Sequence, residues 1–308
     1  MRMMKSFITY GFYPFLLLAT GVVCWLSIEN RLDLPYAFTV IAATRFALLQ
    51  GVEFIFPMQK RWGIRWKEFW RDVKFGAANL VSMRLVSFLI GFITIDMAAG
   101  NPGLLEGAPL WLDIIGTALL FEFLQYWFHR FSHEGGGWLG RKLWQVHVAH
   151  HLPDRVYLIM HGVGHPINFL VVLWMVPLTT WITGASQEAV MVWFSFRGLH
   201  GLLSHYNVDI RAGWLNYLFV GTELHRYHHS ADVGEAKNYG SFLILWDQLF
   251  GTFVYKPGKA PDRLGVDDPG AYPESYQVLK VLSLPFQSSS TPVQEVAIEP
   301  APPGGAAG

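Results

Sequence analysis

Three groups of histidines in this sequence have the residue types and spacing to do chemistry. The first is His129 and His133, in Tyr-Trp-Phe-His-Arg-Phe-Ser-His. The second is His147 with His150 and His151. The third is His225 with His228 and His229. On a helix, positions four apart differ by about 40° and positions three apart by about 60°, so each group aims two or three imidazoles from one face at one point. Helices present metal ligands in this way. Adjacent histidines diverge by about 100°, so each doublet can serve two neighbouring ions. One His-x3-His pair means little, because surface and capping histidines reach that spacing often. Eight histidines in three such groups favour a metal site over eight unrelated ring placements. All-imidazole ligation suits iron, zinc, copper or nickel. Eight rings exceed what one ion can hold, so two ions are implied. A structural zinc site is four-coordinate and normally includes cysteine, and the single cysteine, Cys24, lies in an apolar segment far along the chain. A redox-active di-iron centre at a lipid boundary uses all of these facts.

Such a centre needs helices to carry it, and the composition supplies them. Of 308 residues, 52% are hydrophobic and only 15% are charged, with a formal net charge of zero. That balance excludes a nucleic-acid binder, which needs a basic surface, and a disordered chain. One cysteine excludes a disulfide framework. Residues 7–28 carry no charge and would be about 33 Å long as a helix, enough to cross a bilayer core of about 30 Å. No small-x-small cleavage site follows, so this segment is expected to be an uncleaved first span. Further spans are expected over 34–56, 75–98 and 110–128. Two shorter apolar stretches, 166–183 and 189–203, form a hairpin turned at Gly184, Ala185 and Ser186. The expected fold is an all-α integral membrane bundle of about four spans plus this hairpin, with a histidine-rich helical cap on one side.

Arg2, Lys5 and the run Lys60, Arg61, Arg65, Lys67, Arg71 and Lys74 flank one side of these spans. The positive-inside rule places that side, and with it the N-terminus and the histidines, at the cytoplasmic face. In a bacterium this would be the plasma or inner membrane, and in a eukaryote the endoplasmic reticulum. Arg45, Glu53 and Arg84 fall inside spans and need partners; pairing of Glu53 with one of the arginines is expected. The chain divides into N-terminal membrane helices (1–110), a histidine-bearing region (111–256) and a polar C-terminal stretch (257–308) expected to be disordered.

The motifs around the histidines resemble those of the fatty acid hydroxylase and sterol desaturase superfamily of integral membrane di-iron enzymes. The likeness covers roughly Glu122 to Tyr255. It includes Glu122 before Tyr126-Trp127-Phe-His129-Arg130, where the family usually has Asp. It continues through Trp144-Gln-Val-His147-Val-Ala-His150-His151, His165-Pro166 and His205-Tyr206-Asn207. It ends with His225-Arg-Tyr-His228-His229, Asn238-Tyr239-Gly240 and Trp246-Asp247-Gln-Leu-Phe250-Gly251, where Gln248 replaces the usual Arg. The resemblance implies that His129, His133, His147, His150, His151, His225, His228 and His229 are metal ligands, with His205 a ninth. His165 and His200 compete for a further place, and the proline after His165 ranks it ahead. His161 matches no motif and is expected to be a polar residue near the membrane face.

Glu122 precedes His129 by seven residues, two turns up the same helical face and roughly 10 Å away. It is too far to bind that ion, so it either steadies a histidine by hydrogen bonding or pairs with an arginine such as Arg84. Asp247 has the same alternatives, a cap or ion pair against support of the centre. Glu122 and Asp247 thus stand as supporting residues of the catalytic site.

The implied activity is O2-dependent oxidation of an unactivated C–H bond in a membrane lipid, by hydroxylation or desaturation. Two iron ions would be the cofactors and O2 the co-substrate. No haem-attachment or dinucleotide-binding motif is present, so electrons are expected from a separate donor, a cytochrome b5-like protein, a ferredoxin or a reductase. Two rivals come from other classes. A histidine-lined metal transporter should carry its ligands near the bilayer midplane. A zinc-dependent membrane hydrolase needs a general-base Glu within His-Glu-x-x-His, and His133-Glu134 lacks the second histidine at that spacing.

Overall fold

The computed structural model describes residues 2–97 and 103–287. Among them the chain is helical, with no strand longer than an isolated bridge. Helix α1 covers Arg2–Glu29. It is followed by α2 (Leu34–Ile55), α3 (Trp66–Met97), α4 (Leu110–Glu134), α5 (Gly137–His151), α6 (Pro166–Thr183) and α7 (Gln187–Ser204). The shorter α8 (Thr222–His228), α9 (Leu245–Leu249) and α10 (Val278–Ser283) complete the α-helices among the described residues.

Local sequence fixes the helix starts. Asp33 accepts the Tyr36 amide at the start of α2, and Ser186 accepts the Ala189 amide at the start of α7. Each satisfies a backbone donor that the first turn leaves free. α1, α2 and α6 are long and apolar enough to cross a membrane. Their outward faces remain apolar, with Leu18 69% and Ile55 70% exposed. Such surface is stable against lipid and costly against water. The expected spans over 75–98 and 110–128 are parts of α3 and α4, and residue 98 lies outside the described residues. α4 packs against α5, α6 and α7, while α2 and α1 close on α7 and α3 on α6. The protein is a membrane helical bundle with the histidine-bearing elements gathered at one end.

Two expectations need correction. Glu53 does not pair with a span arginine. Its carboxylate accepts the amides of Leu158 and Asn207, both at 2.9 Å, while Arg45 donates to the Ser195 carbonyl. A buried charge can be compensated by backbone dipoles as well as by a counter-charge. Residues 257–287, expected to be disordered, are folded onto the cap. Leu264, Val266, Val278, Val281 and Leu284 enter a core with Trp62, Phe75, Trp144 and Tyr157. The Tyr272 hydroxyl accepts Trp144 Nε1 at 2.9 Å. Residues 288–308 lie outside the described residues.

Candidate metal centre

The α4–α5 turn brings the first two histidine groups together. Gly135, Gly136 and Gly137 connect the helices, and Gly137 has φ +70°. A Cβ on Gly140 would fall 1.8 Å from the Gly135 carbonyl oxygen. Only glycine permits this approach, and it sets the end of α4 against the start of α5. Trp144 then lies 5.1 Å from the His133 ring, and His147 faces His129.

Nine imidazoles form two sets. His129, His133, His147, His151 and His228 make one, and His150, His205, His225 and His229 the other; within each, one ring nitrogen per residue lies within 4.8 Å of all the rest. Each HxxHH sequence divides between the two sets. His147 and His151 join the first set while His150 turns to the second. His225 and His229 join the second while His228 turns to the first. This is the divergence that a helix imposes on neighbours about 100° apart. His151 and His229 stack at 4.4 Å between ring centres, so the two sets share a wall.

The ring protons can be placed. His129 Nδ1 lies 2.7 Å from the Tyr239 carbonyl, His150 Nδ1 2.7 Å from the Val163 carbonyl, His228 Nδ1 3.0 Å from the Lys237 carbonyl, and His147 Nδ1 3.2 Å from Asn168 Oδ1. A carbonyl oxygen only accepts, so each Nδ1 carries the proton and each Nε2 of the neutral ring is a bare lone pair. His129 Nε2 and His147 Nε2 nevertheless face each other at 3.0 Å. Neither can donate, so this is no hydrogen bond; a cation between them turns the repulsion into ligation. In the second set, His205 Nε2 lies 3.0 Å from the Nε2 atoms of both His150 and His225 and 3.1 Å from that of His229. Ligands about 2.1 Å from an ion are separated by about 3.0 Å at right angles and by about 3.4 Å in a tetrahedron. The observed spacing fits the right-angle arrangement. The donor set therefore suits a metal of higher coordination than structural zinc.

Burial keeps these rings neutral. It pushes His150 down to about 4, and it pushes His147, His151, His205, His225, His228 and His229 well below the usual imidazole value, with neighbouring imidazoles adding to the effect. Neutral imidazole is the ligating form.

Glu122 and Asp247 act on one loop rather than on the histidines. The buried Glu122 carboxylate accepts the amides of Ser241, Phe242 and Leu243 and the Ser241 hydroxyl. Asp247 accepts the amides of Tyr239 and Gly240, each at 2.7 Å, and the Thr252 hydroxyl. Between them they hold the segment whose Tyr239 carbonyl orients His129. Glu122 thus makes no hydrogen bond to a histidine or to Arg84 among the described residues; the arginine it interacts with electrostatically is Arg197. Asn238 completes the anchorage. It has φ +63°, donates to the Leu224 and Val254 carbonyls and accepts the Val254 amide.

His165, expected as a tenth ligand, belongs to neither set. Its Nδ1 accepts the Ile167 amide at the start of α6 and its Nε2 donates to the Leu282 carbonyl. A histidine before proline here serves as a helix cap. His200 is likewise engaged at both nitrogens, by the Phe196 carbonyl and the Tyr13 hydroxyl, each at 2.7 Å. Sequence reasoning missed Asn168, which stands three residues after His165 with no motif around it, and the carbonyls of Val163 and Lys237, which no side-chain pattern reveals.

Comparison with known proteins agrees with the geometry. The family model for fatty acid hydroxylase matches residues 114–252, the stretch that holds every histidine of both sets. An ornithine lipid hydroxylase from Rhizobium tropici is 29% identical over 270 residues, 82% of this chain and 78% of the relative. A very-long-chain aldehyde decarbonylase from Oryza sativa subsp. indica is 29% identical over 150 residues, 47% of this chain and 54% of the relative. A methylsterol monooxygenase from Arabidopsis thaliana is 25% identical over 150 residues, with the same coverage. The chain thus spans about half the length of the latter two. No solved structure matches. With both histidine sets inside the matched region and hydroxylases and monooxygenases among its relatives, residues 114–252 of the chain form a fatty acid hydroxylase domain.

Proposed function

We propose that this protein is a di-iron lipid hydroxylase, working at the cytoplasmic face of its membrane with electrons from a separate donor. The observation that carries this reading is the pair of bare Nε2 atoms of His129 and His147 at 3.0 Å, repeated around His205 in the second set. His129, His133, His147, His151 and His228 would hold one ion, and His150, His205, His225 and His229 the other. Bound iron supplies O2 activation and hydrogen removal from an unactivated C–H bond. One oxygen atom enters the lipid and the other leaves as water, with two electrons and two protons from the external donor.

The chain's own residues do the positioning. Carbonyls of Val163, Lys237 and Tyr239 and the Asn168 amide fix the ring faces. Glu122 and Asp247 hold the Tyr239 segment. The burial of both sets excludes water from the reacting centre. An apolar groove of about 820 Å³ between α2, α3, α6 and α7, lined by Phe38, Leu173, Val176 and Phe194 among others, has the character to hold a lipid chain. Both sets lie at one end of the bundle, which favours this reading over a transporter with midplane sites. Hydroxylation is preferred to desaturation because a lipid hydroxylase aligns over 82% of this chain.

The test is anaerobic iron loading of the purified chain, then O2 uptake with a chemical reductant across a panel of ornithine lipids, sterols, fatty acyl lipids and alkylglycerols. Uptake coupled to a product sixteen mass units heavier is the expected result. A product two units lighter would move the assignment to desaturation. No coupled uptake with any lipid at full iron occupancy would overturn it.

A further inference from the structure

The two sets are unequal, five imidazoles against four. Of the three histidines outside them, His165 and His200 have both ring nitrogens engaged. His161 differs. Neither of its nitrogens makes a hydrogen bond among the described residues, and its ring packs 5.5 Å from that of His205, half an ångström or more beyond the spacings His205 makes within the set. Its side chain remains exposed beside the second set.

The element carrying His161 is held firmly. It sits in the single turn Leu158–Gly162. Glu53 accepts the Leu158 amide at one end, Asn79 donates to the Gly162 carbonyl at the other, and the next carbonyl, of Val163, orients His150. Helix α7 leaves room for the ring. A Cβ at Gly201 would stand 2.8 Å from His161 Cε1 and 3.1 Å from Nε2. Gly201 is one helical turn before His205, so the absent side chain opens the space on the His205 side of the set.

We infer that His161 is the fifth imidazole of the second metal site, turning a ring nitrogen onto the open side of the ion held by His150, His205, His225 and His229. His161 would add a fifth imidazole donor to the four that would hold this ion. The two sites then carry five imidazoles each. This inference rests on the reading that both sets hold metal.

The test compares metal retention in the full-length wild type, His161→Ala, Gly201→Ala and the control His165→Ala, each loaded with Fe2+ anaerobically and then challenged with a chelator. Gly201→Ala removes no ligand, and alanine is the better helix former, so a loss of metal there reports displacement of His161 rather than unfolding. The expected result is two ions in the wild type and the control. In the other two variants, one of the two ions should leave at least about ten times faster, the scale on which residues around a metal affect its affinity. Retention of both ions at the wild-type rate in His161→Ala and Gly201→Ala would overturn the inference and leave the two-set reading intact. A wild type that binds no ion would overturn both.

Discussion

The proton on Nδ1 of four histidines decides how the centre is read. Once the Tyr239, Val163 and Lys237 carbonyls and Asn168 claim those protons, the inward nitrogens can only accept, which leaves them free to ligate a cation. Two predictions belong at this scale. His228→Ala should leave the first set with four rings. The variant should retain about one ion instead of two after chelator challenge and lose more than about a hundredfold in turnover, since it removes a ligand where even an outer partner is worth 10–100-fold. Metal analysis with a coupled assay checks it, and two firmly held ions would remove His228 from the ligand set. Asn168→Ala keeps every ligand but frees the His147 ring. Affinity for one ion should fall about tenfold with the thermal midpoint nearly unchanged, as chelator competition and unfolding in detergent would show. The eight clustered histidines were legible in the sequence because helical spacing survives folding. That each doublet could serve two ions was legible too, but which rings share a set was not, because it depends on how α4, α5 and α8 meet. His165 misled because a histidine before proline reads equally as a ligand and as the cap it is.

At the scale of elements, the site depends on close approach of backbone. The Gly135–Gly137 turn lets α5 start against α4, and Glu122 reaches from α4 into the 241–243 amides. Its importance could be read from the motif, but its partners could not, since backbone amides leave no trace in a side-chain pattern. Glu122→Gln would set an amide donor against backbone donors in a fully buried site. It should cost about 1–3 kcal/mol of stability, read as a lowered unfolding midpoint. Metal affinity should weaken as well, because His129 loses its fixed Tyr239 partner. An unchanged midpoint would contradict the role given to this carboxylate. The segment 257–287 teaches a related lesson. Its charged and turn-forming residues suggested disorder, whereas Val278, Val281 and Leu284, three apart, supply the apolar face that seats α10 against the cap.

The whole molecule places many neutral imidazoles where water cannot solvate their charged form. Their folded values lie below the ordinary 6.5, at about 4 for His150 and well below 6.5 for the others of the second set. Between those limits the unfolded chain binds more protons than the folded one, so stability is complete above about pH 6.5 and drains away as pH falls toward 4. The metal-free protein should therefore show a steadily falling unfolding midpoint across that window, and metal loading should move the fall to lower pH, because ligation competes with protonation. A flat midpoint from 6.5 to 4 would contradict the packing described here. The bundle itself was legible from its long apolar runs, and they also led to the membrane reading. The most direct measurement is the iron content of the purified, anaerobically loaded full-length chain, taken after removal of loosely held metal. Two ions per chain are predicted, and one or none would contradict the paired centre.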